Sequence, residues 1–95
     1  MTTTPITFRF TVKRDVVTSP HDTGMALMNI ANGKLFSLNA IAAQIWRGLE
    51  NGQTPETILN GVCSNYRVSR ASASMHLDAF LAELQQQGLI QAGGE

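Results

Sequence analysis

Ninety-five residues with 43% apolar content make a single small domain, 1–95, with material for one core and little for a second. Seven basic and seven acidic residues give a formal net charge of zero, so no long-range field draws the chain to nucleic acid or an anionic membrane. The single cysteine, Cys63, rules out an internal disulfide and fits a reducing compartment. Met1-Thr-Thr-Thr-Pro5 lacks the basic start and apolar run of a signal peptide, and no apolar run is long enough to span a membrane, so a cytoplasmic location is expected.

Ile6, Phe8, Phe10 and Val12 alternate with Thr7, Arg9 and Thr11, the period of a half-buried strand. Lys13-Arg14-Asp15 interrupts it, Val16-Val17-Thr18 reads as a second short strand, and Ser19 to Gly24 is loop chemistry. Met25 to Ile30 is apolar and strand-like, Asn32-Gly33 is a strong hairpin signal, and Lys34 to Leu38 is the returning strand.

At Asn39 the period becomes helical. Its side chain suits an N-cap, and Ile41, Ile45 and Leu49 recur at i, i+4 and i+8 behind it. This first helix is expected to stop near Asn51-Gly52, while Gly48 inside it marks either close packing or early fraying. Thr54-Pro55-Glu56 opens a second helix with a cap, a first-turn proline and a carboxylate at the positive end of the dipole. Ile58, Leu59, Val62 and Tyr66 form its apolar face, with Cys63 expected as a small buried hydrophobe. A third helix starts at Ser69 and carries Ala73, Leu77, Phe80, Leu81 and Leu84 as a stripe. Gly88 closes it, Leu89-Ile90 tuck back under the core, and Gln91 to Glu95 read as a polar tail. The order gives an α+β fold, winged-helix-like, with an N-terminal antiparallel three-stranded sheet followed by a three-helix bundle. Its core is expected to include Phe36, Leu38, Ile45, Trp46, Leu77 and Leu84.

Catalytic chemistry is sparse. His21 and His76 stand far apart with no further His or Cys at metal spacing, the acidic residues are scattered, and no phosphate-loop, dinucleotide or nucleophile-elbow motif occurs. No enzyme active site, metal or cofactor is expected. Arg67 and Arg70 flank the third helix where a DNA-reading helix would begin, yet the helix continues through Ala71, Ser72, Ser74 and Asp78 with no further basic residue. Projected at 100° per residue, His76, Phe80 and Glu83 fall on one flank of its apolar stripe, and Ser74, Asp78 and Gln85 on the other. The strand Lys34 to Leu38 is either purely structural or an open sheet edge that accepts an added peptide strand.

The series Leu27-Met28-Asn29, Gly33 to Asn39, Ile45-Trp46, Thr54 to Ile58, Phe80 to Leu84 and Gly88-Leu89 resembles the PqqD-like proteins over about Asp15 to Ile90. These are the RiPP recognition elements that hold the leader of a ribosomally made precursor peptide, and they include the stand-alone leader-binding proteins of lasso peptide pathways. The resemblance implies a leader peptide bound antiparallel to the third strand, in a groove against the third helix. Carried onto this chain, the binding residues are Lys34, Leu35, Phe36, Ser37 and Leu38 on the strand, with His76, Phe80 and Glu83 on the helix. A leader peptidase or modifying enzyme is expected as partner, with no nucleic acid or membrane, and the domain is expected to be a monomer or weak homodimer. Two departures bear on leader preference, since many relatives have an aromatic in place of Leu35 and an acidic residue in place of His76. The segment Ile6 to Val12 precedes the usual start, as an added edge strand or a dimer contact. Non-catalytic leader binding is therefore the expected function, with a winged-helix DNA-binding regulator as the alternative.

Overall fold

A computed structural model describes residues 10–21 and 24–92. The elements run β1 (Phe10–Val12), β2 (Val16–Pro20), β3 (Gly24–Asn29), β4 (Lys34–Asn39), α1 (Ala40–Glu50), α2 (Pro55–Asn65), α3 (Arg70–Gln86) and β5 (Ile90–Ala92). They form an antiparallel sheet in the order β2-β3-β4, a separate antiparallel pair β1-β5, and three helices.

The three helices begin where side-chain chemistry permits. Asn39 Oδ1 accepts from the Ala42 amide at 2.9 Å, Thr54 Oγ1 from Thr57 at 3.3 Å, and Ser69 Oγ from Ser72 at 3.1 Å. Each takes up a donor that the first helical turn leaves unpaired. Because Asn39 is both the last residue of β4 and the cap of α1, strand passes into helix with no linker.

The hairpin between β3 and β4 differs from a two-residue Asn-Gly turn. Its loop is Ile30 to Gly33, and the Asn32 and Gly33 amides both reach the Asn29 carbonyl, at 3.3 and 2.7 Å. Only Gly33 takes a positive φ, +73°, so Asn32 contributes its side chain instead, accepting from the Lys34 amide at 3.0 Å. Ile30 consequently sits in the turn, exposed, rather than at the end of a strand.

Met25, Leu27 and Leu38 point from the sheet onto Ile45, Trp46 and Leu49 of α1 and Leu77, Leu81 and Leu84 of α3. Trp46 is fully buried and its indole N–H has no hydrogen-bond partner among the described residues, so its contribution comes from apolar burial. Of the expected core, Leu38, Ile45, Trp46, Leu77 and Leu84 are buried, and Phe36 is half-buried against them. Cys63 is likewise half-buried rather than enclosed. Gly48 marks close packing: an added Cβ would lie 2.7 Å from a buried carbon of Ile58 on α2.

Two expectations at the chain ends change. Leu89 and Ile90 are buried as anticipated, but Gln91 and Ala92 continue into β5, and Phe10–Val12 pairs with that strand through Phe10↔Ala92 and Val12↔Ile90. The described part of the N-terminal segment, Phe10–Val12, thus joins the chain's other end and not the main sheet. Ile6 and Phe8 lie outside the described residues.

Candidate functional site

The register decides which backbone groups of β4 are available. On the far side of β3, the Ile30 amide donates to the Asp15 carbonyl at 2.8 Å and the His21 amide to the Gly24 carbonyl at 2.9 Å. In an antiparallel ladder the hydrogen-bonding residues alternate, so Gly24, Ala26 and Met28 turn their backbone groups to β2, while Met25, Leu27 and Asn29 turn theirs to β4. Their partners Leu38, Phe36 and Lys34 therefore face inward, and Leu35, Ser37 and Asn39 face away from the sheet. β4 is an edge in the strand order, and among the described residues no strand pairs with its outward side at Leu35 and Ser37, which is a template for a further strand.

Beside this edge runs a trough between β4 and α3. Phe36, Ser37 and Leu38 form one wall, and Phe80, Glu83, Leu84 and Gln87 the other, with Leu89 at the floor. Its volume, about 130 Å³, suits one or two side chains and falls below the few hundred Å³ of a typical cofactor pocket. Among the described residues no group of three or more His, Cys, Asp or Glu is placed to hold a metal ion.

Of the eight residues singled out in the sequence, five converge here: Phe36, Ser37, Leu38, Phe80 and Glu83. Lys34 and Leu35 lie on the same strand outside the trough. The Lys34 amide is taken by Asn32, and the Leu35 side chain projects from the opposite face of the sheet, 68% exposed. His76 lines a neighbouring apolar depression with Ile41, Val68 and Ala73 instead. Helical projection gives an angle but not a height: His76 is four residues, about 6 Å along the axis, from Phe80. The trough also takes in Leu84, Gln87 and Leu89, which were not among those eight. Gln87 was within reach of the same projection, being four residues beyond Glu83 and seven beyond Phe80.

The two arginines considered as DNA contacts differ in their surroundings. Arg70 donates to Asn60 Oδ1 at 2.8 Å and lies 3.6 Å from Glu56 Oε2, so it fastens α3 to α2. No described helix is long and apolar enough to cross a membrane.

The family model described as coenzyme PQQ synthesis protein D (PqqD) matches residues 24–90, which takes in the β3–β4 hairpin and all three helices. Two solved structures are similar. "TbiB1 in complex with the TbiA(beta) leader peptide" is 29% identical, with 90% of this chain and 99% of that chain covered and a TM-score of 0.81. "Lasso peptide synthetase B1 complexed with the leader peptide" is 27% identical, with 86% and 96% covered and a TM-score of 0.78. No curated protein matches the chain.

Proposed function

The chain belongs to the PqqD family, and from that premise we propose that its β4 edge binds the leader region of a ribosomally made precursor peptide by strand addition. The observation that carries this reading is the outward set of backbone groups at Leu35 and Ser37, running alongside an apolar trough walled by Phe80 and Glu83. Backbone bonds to the edge supply affinity, and alternate side chains of the peptide entering the trough supply selectivity. Both similar structures hold leader peptides. The protein acts without catalysis, as a cytoplasmic module that presents the bound precursor to a leader peptidase or modifying enzyme.

DNA binding finds less support. Arg70 is engaged with α2, the chain carries no net positive charge, and the outward face of α3 adds no basic residue to Arg67. A titration with a synthetic leader, taken from a precursor reading frame beside the gene, is expected to give saturable binding that Ser37→Pro weakens at least tenfold. Sequence-specific binding to duplex DNA at physiological salt, with none to the leader, would reverse the assignment.

A further inference from the structure

The outer face of the three-stranded sheet carries two cross-strand rows. Val17, Met28 and Leu35 stand in register, 46%, 36% and 68% exposed, and form an apolar row that ends at the β4 edge. The next row is Ser19, Ala26 and Ser37, all small. Resting on the docking reading above, a peptide strand added antiparallel to β4 would form hydrogen-bonded pairs with Ser37 and Leu35. Paired residues in such a ladder project their side chains on the same face. The peptide residue between them, opposite Phe36, turns into the trough.

We infer that the residue paired with Leu35 is selected for an apolar side chain, as the fourth member of the Val17-Met28-Leu35 row. The residue paired with Ser37, two positions nearer the peptide's N-terminus, is unconstrained. The recognised strand is therefore apolar at two adjacent positions, one in the trough and the next on the outer face. An ordinary half-buried strand alternates and places only one of two neighbours in an apolar setting. The occupant follows from continuity: Leu35 belongs both to the docking edge and to the row, so the strand that pairs with its backbone also covers its side chain.

The test uses a displayed library of random twelve-residue peptides selected on the whole chain. Selected peptides are scanned with cysteine against Leu35→Cys in a Cys63→Ala background, and the position that forms the disulfide fixes the register. That position is expected to be enriched in Leu, Ile, Val, Phe or Met. Replacing it with serine is expected to cost about three- to fivefold in affinity, the range of a cross-strand apolar pair. On Leu35→Ser, an exposed change that leaves the fold intact by circular dichroism, the preference disappears.

No apolar enrichment at the crosslinked position, or a preference that survives Leu35→Ser, overturns this inference and leaves edge docking standing. Selected peptides that bind Ser37→Pro as tightly as the unaltered chain overturn the docking reading as well. A peptide-free protein that sediments as a dimer, and as a monomer after Leu35→Ser, assigns the row to a second copy and overturns the inference.

Discussion

The sheet has two edges, and they are built differently. On β2 the residues that turn away from β3 are Val16, Thr18 and Pro20, so the proline's missing N–H falls on the outward side at one end of the strand, while the charged run Lys13, Arg14 and Asp15 leads into the other end. Proline and charge are the usual means of discouraging a strand from pairing with anything else. On β4 the outward positions are Leu35, Ser37 and Asn39, which keep their donors, and α3 provides a wall beside them. One three-stranded sheet thus presents a blunted edge and a receptive one. On the proposed reading, strand addition falls to β4 because β2 withholds an outward donor.

Removing the shared platform should erase the difference altogether. Trp46→Ala, which empties the centre beneath both edges, is expected to destabilise by about 3–5 kcal/mol in chemical denaturation. A loss below about 1 kcal/mol would mean that the sheet does not depend on this core. Parity along β4 is tested next. Phe36→Pro deletes a donor that faces Leu27 and also a half-buried ring, and should cost about 3 kcal/mol or more. Ser37→Pro, one residue on, deletes only an outward donor and should stay folded while leader affinity falls at least tenfold, or ~1.4 kcal/mol. If the two variants behave alike, the assignment of inward and outward groups is wrong.

Gly24 sharpens the contrast from the other strand. A Cβ at this position would fall on the Leu38 carbonyl oxygen, so Gly24→Ala must push β4 away from β3. The expected cost is about 1–3 kcal/mol, with weaker leader binding in calorimetry. The smallest effect belongs to the blunted edge. Pro20→Ala restores an outward donor and should lower stability by no more than about 1 kcal/mol, chiefly through the unfolded chain. Leader affinity should stay within about twofold; a clear gain in binding stoichiometry would show that the proline alone kept β2 closed.

What could be read in the sequence was local. Asn39, Thr54 and Ser69 cap their helices through a side chain and an amide three residues away, and Gly52 and Gly88 take the positive φ that ends a helix. Nothing non-local was legible to the same degree. The direction of the Ser37 amide depends on the register across β2, β3 and β4, which no single strand encodes. The strand Ile90–Ala92 exists because Phe10–Val12 lies across from it, some eighty residues away in sequence, so its own residues read as a tail. The α+β class, the three-stranded sheet and the three helices all followed from periodicity, whereas the division of α3 between trough and neighbouring depression required the height of His76 along the axis.

Trp46 is the only tryptophan of the chain, fully enclosed, and absent from the walls of the β4–α3 trough. Its emission therefore belongs to the interior: blue-shifted while the domain is intact, red-shifted when water reaches the indole, and indifferent to a peptide arriving at the strand edge. A single fluorophore placed this way lets every variant above that keeps Trp46 be scored for integrity in the same cuvette in which a labelled peptide is scored for docking, with neither signal contaminating the other.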